Sequence, residues 1–186
     1  MFRLITWILS LLIVPNLTPS KGVDFEDKLL RRELSKLGEF DLSEWKEMAI
    51  PESLSVQGKF FFIPGGTDHP ERYVYIGRVN TCRQGGCSAP VGPINFEASE
   101  YFDYFIVFDS VLSVQKVKIY DYQATHGHEV TNKGWLKQFQ GYDGRQSLTV
   151  GKSIDAISGA TISVYGITAD IHEKTQLLKK IVPGKN

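Results

Sequence analysis

The sequence predicts an α+β fold: an antiparallel sheet backed by a packed C-terminal helix, with an N-terminal helical extension. Three observations carry this. Short runs rich in Phe, Tyr and β-branched residues recur from Lys59 to Tyr122, broken by Gly, Pro and Asp. The segment 162–181 sets Val164, Ile167, Ile171, Leu178 and Ile181 in one stripe at helical spacing. Residues 24–38 repeat that spacing with Phe25, Leu29, Leu30, Leu34 and Leu37, and Gly38 ends them.

The start of the chain reads as an export signal over residues 1–20. Met1-Phe2-Arg3 gives a positive start, and Leu4 to Val14 is an apolar run of 11 residues that Pro15 ends. Thr18 to Ser20 supplies small residues for cleavage. A membrane span needs about 20 apolar residues, so this run is short for one. An uncleaved anchor stands as the alternative, and no Cys follows to carry a lipid. Residues 21–55 form the helical extension, with a second short helix expected over 41–50, capped by Asp41 or Ser43 and closed by Pro51. Residues 56–186 form the main domain.

Within that domain, Lys59 to Ile63 is a short aromatic strand, and Pro64-Gly-Gly-Thr-Asp turns the chain. Arg72 to Val79 alternates around Tyr73, Tyr75 and Gly77. Tyr101 to Phe108 is the strongest strand signal. Asp109-Ser110 turns it into a partner strand, Leu112 to Tyr122, whose Val114, Val117 and Ile119 suggest one buried face with a local irregularity. Trp135 to Gln140 reads as a short helix, and Leu148 to Val150 as a short strand. Gly166 interrupts the last helix at a cost of about 1 kcal/mol relative to Ala. It lets either a ring or a neighbouring strand come close.

Charge narrows the function. The chain carries 21 basic and 21 acidic side chains and no basic stripe, which argues against nucleic acid as a partner. Aromatic residues make up 12%, enough for a flat ligand or for a strand-rich core.

The most informative stretch is Asp155-Ala-Ile-Ser158-Gly159-Ala160-Thr161-Ile-Ser163, just before the last helix. It sets a hydroxyl beside two small residues at a helix start, where unpaired N–H groups and a partial positive charge suit a phosphate. Asp155 adds an acid able to hold a metal or take a proton. The same residues are also ordinary capping residues.

Asp-x-x-Ser-Gly-Ala-Thr resembles the flavinylation motif of the FMN-binding domain family. That family includes the G subunit of Rnf electron-transport complexes and the C subunit of the sodium-pumping NADH:quinone reductase. Gly134-Trp135-Leu-Lys-Gln-Phe139-Gln-Gly141 resembles the family's upstream Trp and Phe-Gly pattern. Thr125 to Thr131 departs from the Glu-Thr-Pro-Gly-x-Gly run of the respiratory subunits and keeps only a Glu, Glu129. The resemblance spans about residues 70–182.

The resemblance implies FMN held covalently through a phosphoester to Thr161, made by a magnesium-dependent flavin transferase. Ser158 and Ser163 are rival hydroxyls, and the family pattern selects Thr161. Gly159 and Ala160 admit close approach, and Asp155 orients the hydroxyl or the magnesium, or caps a turn. Trp135, Phe139 and Tyr142 are candidate ring neighbours, or core. A covalent tether suits an exported protein, because free FMN escapes from a noncovalent site outside the cytoplasm. The expected protein is an electron-transfer flavoprotein of the bacterial periplasm or the outer face of the inner membrane, working with a membrane or extracytoplasmic redox partner. Two alternatives remain. One is a flavin-dependent reductase, which requires a basic cluster not visible in sequence. The other is a non-redox binding module with a degenerate motif.

Two further groups invite chemistry. Cys82 and Cys87 bracket a Gly-rich loop and in an exported protein suggest a disulfide, with a redox relay to the flavin as the sharper alternative. His126, His128 and Glu129 suggest a metal, a solvated loop, or part of a flavin pocket. Three such residues from one segment are weak evidence for a metal.

Overall fold

A computed structural model describes residues 22–36, 45–51, 56–67, 70–83 and 99–184. The expected signal segment, Gly38, the Asp41 and Ser43 caps, Cys87 and the side chain of Cys82 lie outside the described residues. So, therefore, does the expected disulfide.

The described elements are α1 (Lys28–Ser35), β1 (Lys46–Glu47), β2 (Gly58–Ile63), β3 (Arg72–Arg83), β4 (Ser99–Phe108) and β5 (Val114–Tyr122), then α2 (Lys133–Leu136) and α3 (Thr161–Ile181). A 3-10 turn, His128–Thr131, precedes α2, and another, Lys137–Phe139, continues it. The strands form an antiparallel sheet in the order β1-β2-β3-β4-β5, so each strand pairs with its neighbour in sequence. The α+β expectation holds.

β4 is an interior strand, and both of its faces are covered. Phe102, Tyr104, Ile106 and Phe108 join the core under α3, packing with Val164, Ile167, Ile171 and Leu178. Phe105 and Val107 face the other way, against Leu30 and Leu34 of α1. A nearly continuous apolar run is what a strand buried on both sides requires. Asp103 breaks that run and is fully buried, so its charge needs a partner. Its register partner Arg78 on β3 supplies one, with Nε and Nη2 donating to the two carboxylate oxygens at 2.7 and 2.9 Å.

The expected irregularity in β5 appears as register shifts at Asp103/Tyr104 and Val107/Phe108. The helical extension supplies α1, whose cap Asp27 accepts from Leu29 N and Leu30 N, an interaction worth about 1 kcal/mol.

Two expected elements differ. In place of the described part of the 41–50 helix, Lys46–Glu47 pairs with Phe61 and Phe62 of β2. The free edge of β2 presents unpaired backbone groups that need partners, and Met48 N donates to Phe60 O beside the Trp45–Phe61 ring contact. Leu148 to Val150 forms no strand. Only Val150 bridges, to Ile154. The carbonyl of Thr149 instead accepts from the N–H groups of Lys152, Ser153 and Ile154, curling the chain into a tight loop.

Gly166 is explained by strand packing: a Cβ there would lie 3.0 Å from Val79 Cγ1 on β3. Among the described residues no helix is long and apolar enough to cross a membrane.

Candidate functional site

Thr161 is the first residue of the 21-residue helix α3, and it is exposed. Ala160 occupies the N-cap position and offers no side-chain acceptor, and the first turn contains no acid. The first bond of the helix runs from Val164 N to Ala160 O. The N–H groups of Thr161, Ile162 and Ser163 are therefore the orphan donors of an α-helix start, at its positive end. Neither Asp155 nor Ser158 caps α3, so the capping role sequence allowed them is not used.

The loop before α3 is anchored at both ends. Ile154 and Ala160 are buried, while Asp155, Ser158 and Gly159 between them are exposed. Gly159 has φ +79°, which a side chain disfavours. The α2 segment holds the loop through backbone groups of one residue. Trp135 Nε1 donates to Asp155 O at 2.8 Å, and Asp155 N donates to Gln138 Oε1 at 2.8 Å. Asn132 caps α2 by accepting from Gly134 N and Trp135 N, which fixes the indole. Gln138 was not anticipated. Its only sequence signal is its place one turn after Gly134 on a segment already singled out.

The structure separates the three hydroxyls. Ser163 is buried, and its Oγ lies 3.2 Å from the Tyr122 hydroxyl. That phenol donates to His126 O, and burial pushes its pKa up, against the hydrogen bond to Ser163, which lowers it. Ser158 is exposed but lies in the loop, outside the helix. Thr161 alone combines exposure with the helix start.

Gly127 explains why the segment 125–131 sits here. It has φ +85°, and a Cβ on it would come 2.8 Å from Ser163 Oγ and 3.3 Å from Ala160 Cα. The loop thus lies directly against the Thr161 motif. His126, His128 and Glu129 are exposed around it, with the His128 ring edge-on to Tyr122 at 5.2 Å. Among the described residues no group of three His, Cys, Asp or Glu is arranged to hold a metal ion.

The aromatic candidates divide. Phe139 is fully buried and meets Trp135 edge-on at 5.4 Å. Trp135 and Tyr142 are nearly buried, and Tyr142 hydrogen-bonds His172 on α3. What sequence missed is Tyr165. It is 57% exposed and stands one turn along α3 from Thr161, next to Ile162 at 42%. It belongs to no apolar stripe, and exposure is decided by packing.

Residues 101–174 match the FMN-binding domain family, a narrower span than the 70–182 expected. No curated protein matches the chain. The match runs from β4 into α3 and includes Trp135, Gln138 and the whole loop from Asp155 to Ser163. Most of β4, the pinned loop and the exposed threonine therefore lie in the segment, residues 101–174, that matches the FMN-binding domain family, and this match supports a flavin-binding protein.

Proposed function

We propose that the chain carries FMN covalently, as a phosphoester on Thr161, and transfers electrons outside the cytoplasm. The observation that carries this is Thr161 itself: an exposed hydroxyl on the uncapped start of a long helix, inside the matched segment. The three orphan N–H groups suit a phosphate diester, and the positive helix end favours its charge. Attachment forms a Thr161 Oγ1–P bond as the P–O bond to the donor's leaving group breaks, and the hydroxyl proton passes to a base. A threonine hydroxyl is a poor nucleophile, so a metal-dependent transferase supplies activation. Bound FMN supplies one- or two-electron redox chemistry.

The test is intact mass of the denatured chain after co-production with a flavin transferase. An increment of FMN minus water on the Thr161 peptide is expected. No increment with an active transferase would overturn the assignment.

Tyr165 is the proposed neighbour of the isoalloxazine ring, since it lies on the same face of α3 one turn away. Tyr165→Ala should retain the attached mass but show at least twofold brighter flavin emission, because an adjacent phenol quenches it. Unchanged emission at equal loading would remove Tyr165 from the ring's surroundings.

A further inference from the structure

A cavity of about 760 Å³ lies at the outer edge of the sheet, where α1, β5 and α2 meet. It is lined by six cationic side chains, Lys36, Arg72, Lys116, Lys118, Lys133 and Lys137, against two carboxylates, Glu33 and Asp109. The chain as a whole has no net charge, so this is a local concentration. Sequence hides it, because the residues come from separate elements. Lys116 and Lys118 project from the face of β5 that α1 covers, as their register partners Val107 and Phe105 show. Lys133 and Lys137, one helical turn apart, flank that edge from the α2 segment.

The two acids are already engaged. Glu33 pairs with Lys36 at 2.5 Å and with Lys116 at 3.4 Å. Asp109 accepts from Val111 N, Ser113 N and Gln115 Nε2, which closes its own turn. Among the described residues no carboxylate lies within ion-pair distance of Lys118, Lys133 or Lys137. Burial holds the Lys118 ammonium below the usual lysine range. Glu33 partly offsets this, while Lys133, Lys116 and Lys36 add to it. An anion between these ammonium groups would relieve that crowding.

The walls are not purely polar. Leu136 and Val117, both buried, contribute apolar surface. A concave space of this size falls within the roughly 300–1,000 Å³ of small-molecule sites. We propose that the cavity binds a small molecule bearing two or more anionic groups on an apolar body. The site is distinct from the Thr161 loop: Trp135 pins Asp155 on one side of α2, and Leu136 faces the cavity on the other. The proposal therefore stands whether or not flavin is attached.

The test is calorimetric titration of the full chain with inorganic pyrophosphate and, separately, with naphthalene dicarboxylate. One saturable site is expected for each, and the aromatic dianion should lose less affinity in added salt because part of its binding is apolar. The double variant Lys118→Gln/Lys133→Gln should weaken both at least tenfold. A control, Lys28→Gln/Lys180→Gln, removes two exposed lysines away from the cavity and should change neither by more than twofold. The proposal is overturned if neither probe saturates, or if the control weakens binding as much as the cavity variant. Pyrophosphate binding without the dicarboxylate would reject the apolar body.

Discussion

Thr161→Ala should yield a chain that leaves denaturing gel filtration without flavin absorbance, whereas Thr161→Ser should stay yellow. The effect on attachment should be all or none, because the proposed phosphoester has Thr161 as its single acceptor. Ser163 cannot substitute: its hydroxyl is buried against Tyr122, and Gly127 packs over it. Ser158 stands outside the helix, where no orphan N–H of α3 is its own neighbour. The fold should barely notice the change. Thr161 is exposed and caps nothing, so stability should move by no more than about 0.5 kcal/mol, as for a surface substitution. Absorbance and denaturant midpoint, measured together, check both halves. Flavin still bound after denaturation of Thr161→Ala would refute the acceptor.

The largest stability loss is expected midway along α3. Asp170 accepts from the Tyr104 hydroxyl at 2.5 Å and pairs with Lys174 at 2.9 Å. These contacts bind α3 to β4 and so hold the start of the helix in place. The Lys174 side chain is 5% exposed and that of Asp170 17%. Burial raises the pKa of Asp170, although Lys174 and Tyr104 both lower it, so the acid is the strained member of the pair. Burial pulls Lys174 down, but Asp170 and Glu173 carry it above the usual lysine value.

Lys174→Met removes the main counter-charge. Breaking a fully buried pair costs about 3–5 kcal/mol. Because Asp170 keeps some exposure, about 2–3 kcal/mol at neutral pH is the expected loss. The sign of its pH dependence follows from Asp170. Its folded pKa lies above the unfolded value, so the folded state binds more protons in that interval. Losing Lys174 raises the folded pKa further. The deficit should therefore shrink as pH falls from neutral through the folded pKa, and change no more below the unfolded pKa. Urea melts at about pH 7 and pH 5 test this. Equal deficits at both would mean that lost packing, and not the buried charge, sets the cost. Asp170→Asn/Lys174→Met should recover most of the stability, since a neutral amide still accepts from the Tyr104 hydroxyl and buries no charge.

The linear pattern of this chain determined its class and marked the residue proposed to carry the flavin. Short aromatic and β-branched runs bounded by turn residues specify strands, and the stripe from Val164 to Ile181 at helical spacing specifies the long helix. The order Asp-x-x-Ser-Gly-Ala-Thr marked Thr161 because its chemistry is local: a hydroxyl, two small residues and a helix start lie within one loop. Tertiary packing decided the rest. Lys46–Glu47 became a strand because β2 had an edge to cover, a demand made by residues far along the chain. Gly166 met Val79, and Ser163 lost its candidacy to Tyr122, by contacts across the fold. Tyr165 stands exposed and the six cations converge on one cavity for the same reason. Exposure and charge clustering depend on which elements cover which faces, and that distance information is not carried by spacing along the chain.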